Sequence, residues 1–190
     1  MANNLERKIA VVVENAAASE LEQSLQDLVK GTAVGFAFFA PTQIGTIHAD
    51  SFDAIMFYDT ITNFAPWADK GARAPIDSFT EKLVRRFHRE SKPIAALGKS
   101  VPLIALIFGA DGVELSTGPQ EDTLAKEIRK TGAHHTLCPL HDYVSDRDHK
   151  VLTTGGARTR PGLSPGVSAE DPKDVFNGLR KMMRELVEMA

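Results

Sequence analysis

"KPIAALGKSVPLIALI", residues 92–107, decides how this chain is read. It opens as a short apolar strand, passes through a turn of Gly98, Lys99 and Ser100, and continues as an apolar run with Pro102 near its start. A strand that turns sharply into a helix forms an elbow, which exposes one strained residue and places main-chain N–H groups and a helix N-terminus where an anion develops. Periodicity alone leaves "VPLIALIF" (101–108) open between buried helix and buried strand. At the expected apex stands Gly98, which has no side chain.

Upstream, "KIAVVV" (8–13) is a β-branched run of strand length, followed by a helix with Leu21, Leu25 and Leu28 on one face. Ser19 with Glu22 suits a capping box, and Gly31 is placed to end that helix. "TAVGFAFFAP" (32–41) and "FDAIMFYD" (52–59) give two more apolar strands, with a short extra strand expected over "TIHAD" (46–50). Residues 75–91 place Ile76, Phe79, Leu83 and Phe87 at amphipathic-helix spacing.

Downstream, 119–132 reads as a helix closing on Gly132, and 133–156 as two extended stretches around the polar turn "SDRDHK" (145–150), a hairpin rather than a crossover. A Gly-, Pro- and Ser-rich loop over 157–172 precedes a last helix with Val175, Leu179, Met182, Met183 and Leu186 toward the core. Repeated β-α alternation predicts a three-layer flavodoxin-like α/β fold: a mostly parallel sheet covered on both faces, with the late hairpin as an antiparallel edge.

The 190 residues suit one domain over 1–190. Composition is 43% hydrophobic and 25% charged, and the formal charge of −3 gives no broad reason to expect nucleic acid or an anionic membrane as partner. Only five consecutive apolar residues follow the polar N-terminus, so neither a signal peptide nor a membrane span is expected, and a cytoplasmic location is. One cysteine, Cys138, excludes an intrachain disulfide.

Open parallel sheets bind ligands beyond the carboxyl ends of their strands. That selects Glu14, Asn15, Glu20 and Glu22 after the first strand, Asp59, Thr60 and Asn63 after the third, and Gly98, Lys99 and Ser100 after the fourth. No glycine occurs in "VENAAASE" (13–20), which speaks against a phosphate cradle and a nucleotide cofactor there. No cofactor is expected.

The elbow "KPIAAL" with its turn and proline-containing helix resembles that of the ThiJ/PfpI superfamily, related to class I glutamine amidotransferases. "FDAIMFYDT" resembles the strand leading into that family's Pro-Gly-Gly turn, and "SELEQSLQDL" the acidic start of its first helix. "GAHHTLCPLHDYVSDRDHKVLTTGGA" resembles its late hairpin, most closely in the ElbB-like branch, so the likeness runs in order over 8–157. The resemblance implies that the family's active-site carboxylate falls on Glu22 or, in a slightly different register, Glu20. Its nucleophilic cysteine falls on Gly98, the residue after it on Lys99, and its oxyanion-hole glycines on Asp59 and Thr60.

Loss of the thiolate removes the nucleophile, and a carboxylate at 59 opposes a developing oxyanion, so cysteine-dependent amidase, protease or glyoxalase activity is disfavoured. The expectation is a pseudoenzyme, or a small-molecule-binding or structural subunit, working as a homodimer or paired with a related chain. The alternative is a cysteine-independent lyase, hydratase or isomerase acting on a small carbonyl compound, with Glu22 as acid or base and Lys99 or Ser100 orienting the substrate.

Arg158 and Arg160 are candidates to grip a carboxylate or phosphate from the long loop. Trp67 and Phe64, after the third strand, are candidates to cover the cleft. Cys138 with His134, His135, His141 and His149 has metal-ligand chemistry, but alternation along a strand separates these side chains. No metal site is expected, and Cys138 reads as a core thiol.

Overall fold

The computed structural model describes residues 7–13, 18–59, 76–120, 123–155 and 172–190, and the side chains of all of these except 18–20 and 172–176. Alternation along β1 (Arg7–Val13) builds the layers. Ile9, Val11 and Val13 enter one hydrophobic cluster, Ala10 and Val12 the other. A strand whose successive side chains are all apolar must be covered on both faces.

One face is covered by α1 (Ala18–Leu28) and α5 (Pro172–Met189), through Leu21, Leu25, Leu179, Met182, Met183 and Leu186. The other is covered by α2 (Ser78–Arg89) and α3 (Val101–Phe108), with Ile128 of α4 (Thr123–Lys130) in the same cluster. Full burial of a side chain such as Leu25, Phe57, Phe87 or Ile104 contributes about 1.5–3 kcal/mol each.

The remaining strands of the main sheet are β2 (Val34–Phe39), β3 (Ala54–Tyr58), β4 (Ile94–Leu97), β7 (Val144–Asp146) and β8 (Val151–Thr154). Their order is β2-β1-β3-β4-β8-β7. All neighbours are parallel except β7 and β8, the expected antiparallel hairpin at the edge. This is the flavodoxin-like arrangement, whose topological switch point lies between β1 and β3.

"VPLIALIF" resolves as helix, α3, buried along nearly its whole length. Gly31 and Gly132 end their helices with φ of 91° and 98°, as glycine permits. Three sequence expectations change. Over 46–50 there is no strand: Pro41–Thr46 and Ala49–Ser51 are 3-10 turns that bury Ile44 and Ala49. Pro41 lacks the N–H a ladder needs but suits a first helical turn, and the Gln43 side chain accepts the Ala40 N–H at 2.8 Å.

Residues 133–140 do not supply the hairpin's first arm. β6 (His134–His135) instead pairs in parallel with β5 (Glu114–Leu115) as a separate two-stranded sheet, too short for any period to reveal. Ser19 lies inside α1 rather than ahead of it, so it is not the N-cap of a capping box.

Candidate functional site at the strand ends

Register brings the carboxyl ends of four strands into line. Val13 pairs with Tyr58, Tyr58 with Leu97, and Leu97 with Thr154. The residues that follow them therefore share one edge, where open sheets bind ligands.

The elbow is real. β4 ends at Leu97 in extended conformation, Gly98 takes φ of 57°, and Gly98–Ser100 form a 3-10 turn into α3. Asp59, directly after β3, also has a positive φ of 46°, a conformation that aspartate tolerates better than most residues.

Two hydrogen bonds join these turns. The Asp59 N–H donates to the Leu97 carbonyl at 3.2 Å, and the Lys99 N–H donates to Asp59 Oδ1 at 3.2 Å. The amide after an elbow's apex is the group that ordinarily stabilises an oxyanion. Here it bonds the chain's own carboxylate.

Beside β4, the end of β8 is covered. Thr153 and Thr154 are buried; the Thr153 hydroxyl accepts the Ser116 N–H at 2.9 Å, and the Thr154 hydroxyl donates to the Asp142 carbonyl at 3.0 Å. His135 Nε2 accepts the Thr117 N–H at 3.2 Å and lies 2.8 Å from the Thr117 hydroxyl. Gly155 is held so close to this turn that a Cβ there would lie 2.2 Å from the Thr117 carbonyl oxygen.

The sequence candidates fall as follows. Lys99 is half-buried, while Ser100 is 1% exposed, so adjacent side chains occupy different surroundings. Glu22 is exposed on α1, its carboxylate accepting from Gln26 Nε2 at 3.4 Å. The backbone of Glu20 lies in α1. Glu14, Asn15, Thr60, Asn63, Phe64, Trp67, Arg158 and Arg160 lie outside the described residues.

Cys138 is buried, and burial, reinforced by the charge of Asp142 and opposed by Lys181, pushes its thiol up to about 11. It is a protonated, inert thiol at neutral pH. The histidines disperse: His135 to Thr117, His149 Nδ1 to Asp146 Oδ2 at 2.8 Å, His134 and His141 to the surface. Among the described residues no three His, Cys, Asp or Glu side chains group to hold a metal ion.

One feature went unseen in the sequence. His141, Asn177, Arg180, Lys181 and Arg184 line a concavity of about 530 Å³. The spacing of 177, 180, 181 and 184 was a visible helical stripe, but the terminal helix was read only for its apolar face.

No family model matches the chain. The mitochondrial ES1 protein of Danio rerio is 26% identical over 126 residues, 58% of this chain and 46% of that protein. The chain thus spans about half the length of the curated relative it matches. The structure of an isoprenoid biosynthesis protein with an amidotransferase-like domain from Ehrlichia chaffeensis aligns with a TM-score of 0.73 at 18% identity, covering 96% of this chain and 99% of that one. A ThiJ/PfpI domain protein from Brachyspira murdochii aligns at 0.58 and 12% identity, covering 97% and 95%.

The chain has the ThiJ/PfpI fold. Within that ThiJ/PfpI fold, the turn after β4 carries Gly98, Lys99 and Ser100, and the turn after β3 begins with Asp59. Among the described residues no helix is long and apolar enough to cross a membrane.

Proposed function

We propose that this is a ThiJ/PfpI-like protein that works without a nucleophilic cysteine at its elbow, as a small-molecule-binding or structural subunit. The observation that carries this reading is the bond from the Lys99 N–H to Asp59 Oδ1. A carboxylate on that donor takes the place an oxyanion needs and repels further negative charge. Gly98 supplies no side chain to attack a carbonyl, and the cysteine that the chain does carry is a buried, protonated thiol.

A small neutral carbonyl compound is the expected ligand at the edge bounded by Asp59, Gly98 and Lys99, whereas a carboxylate compound would have to displace Asp59 from the Lys99 N–H. The assembly is a homodimer or a pair with a cysteine-bearing related chain, in the cytoplasm. The rebuilt-enzyme alternative uses Glu22 as acid or base, yet Glu22 is exposed, whereas such groups work best from a water-excluded cleft.

The test is consumption of methylglyoxal and release of p-nitroaniline from an amino-acid anilide by the wild type and by Glu22→Gln. No turnover above buffer is expected from either. Turnover by the wild type that Glu22→Gln abolishes would overturn the reading in favour of a cysteine-independent enzyme.

A further inference from the structure

We infer that β2 is a dimer surface, across which a second copy of this chain pairs its own β2 in antiparallel register about a two-fold axis at Phe36. β2 stands at one end of the sheet and pairs with β1 alone among the described strands. The Arg7 N–H donates to the Ala33 carbonyl at 3.0 Å, and main-chain groups alternate in direction along a strand, so those of Gly35 and Ala37 face β1 while those of Val34, Phe36 and Phe38 point outward. Among the described residues nothing bonds the outward N–H and C=O groups. All of β2 keeps partial exposure, whereas residues 9–12 of β1 and 54–57 of β3 keep none.

The strand lacks the features that ordinarily guard an edge. "VGFAFF" (34–39) carries no charge and no proline, and its register with β1 runs from Val34 to Phe39 without a bulge. The opposite edge shows the contrast: β7 has three residues and ends in Asp146, whose carboxylate accepts the Glu114 N–H at 2.8 Å. Apolar side chains flank β2 on both faces. Val34, Phe36 and Phe38 are half-buried on the face that α1 and α5 cover, with the two rings 6.4 Å apart. On the other side Phe79 of α2 is 63% exposed, its ring beside Gly45 in the 3-10 turn that follows β2.

A second copy matches this edge. With the axis at Phe36, Phe36 faces its own image and Val34 faces the image of Phe38, so each outward N–H meets an outward carbonyl. Sliding the register by two residues leaves some of them unpaired. The facing side chains form aromatic–aromatic and aromatic–β-branched pairs, which strengthen a sheet, and no charge within 34–39 meets its like. A strand of six residues is about 20 Å long, and with about 10 Å of packed layer on either side the surface buried is on the order of 1,000 Å² in total, which places the dimer among the weaker specific complexes. Dissociation in the micromolar range is therefore expected. The inference gives the contact face of the homodimer proposed above and rests on that assembly, not on the chemistry of the elbow.

Sedimentation velocity of the full chain from about 1 to about 100 µM is the test, on the wild type, Phe36→Lys, Phe36→Glu, an equimolar mixture of those two, and the control Leu137→Lys, which removes an exposed leucine after β6. The wild type should form a reversible dimer. Each Phe36 variant alone, setting like charges face to face across the axis, should raise the dissociation constant about tenfold or more, and the mixture should recover a dimer as the Lys–Glu heterodimer. Leu137→Lys should dimerise as the wild type does. Circular dichroism establishes that each variant is folded; where a charge at 36 prevents folding, Val34→Pro carries the test, since it removes an outward N–H and no bond to β1, and it should weaken the dimer about fivefold or more. A monomeric wild type, a dimer that survives the Phe36 and Val34 substitutions, a mixture that stays monomeric, or an equal loss in Leu137→Lys would each overturn the surface. Turnover of methylglyoxal or the anilide by the wild type would overturn the reading of the elbow and leave this dimer standing, so the two failures are read separately.

Discussion

Placing a side chain on Gly98 tests both the elbow and the carboxylate that occupies it. With φ at 57°, an L-residue at this position costs about 1–2 kcal/mol in steric strain. The substitution also restricts the unfolded chain, returning about 0.4–1 kcal/mol. Gly98→Ala and Gly98→Cys are therefore each expected to destabilise by roughly 1 kcal/mol, about 2–4 °C in Tm for a chain of this size. In Gly98→Cys the introduced thiol stands next to the amide that bonds Asp59 Oδ1, so the neighbouring negative charge disfavours its thiolate.

Removing that charge with Asp59→Gly in the Gly98→Cys background frees the Lys99 N–H and relieves the positive φ at 59. Iodoacetamide alkylation at pH 7.5 is the assay, since only the thiolate reacts. The double variant should react at least about fivefold faster, equivalent to roughly 1 kcal/mol of relief at the thiolate. A rise in Tm for Gly98→Ala would refute the strained elbow. Equal alkylation rates with and without Asp59 would refute its hold on the amide.

Wild-type Cys138, with its thiol pushed up to about 11, should resist iodoacetamide at pH 8 until the protein is denatured; rapid stoichiometric labelling of the native state would contradict its burial. Gly155→Ala should destabilise by about 2–3 kcal/mol in urea titration, because its Cβ meets main-chain atoms of Thr117 and Gly118 that cannot rotate away. For pH, burial, then His149, hold His88 below its ordinary value of 6.5, so the unfolded chain takes up that proton first and stability should fall as pH drops below about 6.5. A second loss is expected below about 4: burial opposes ionisation of Asp146, but hydrogen bonds from the Glu114 and His149 amides and the His149 ring outweigh it and hold its carboxyl low. His88→Gln should flatten the first limb and leave the second.

Much of the fold was legible because it rests on period. Val11 and Val12 pointing to opposite layers, and Leu21, Leu25 and Leu28 lining one helical face, follow from alternation and helical spacing that any apolar core imposes. What escaped has no period. β5 and β6 have two residues each and are held by pairing partners distant in the chain, and the 3-10 turns over 41–51 answer to Pro41 and the Gln43 side chain. Of the site, the positions were readable and the contacts were not. Asp59 could be placed after β3 from sequence, but its grip on the Lys99 amide depends on β3 and β4 ending in register and on two positive φ values.

At the elbow, a main-chain donor is met by a carboxylate one strand away, so another anion there would have to displace Asp59 and bear its repulsion. A neutral carbonyl compound meets no such repulsion, and the elbow therefore favours it over a carboxylate of the same size.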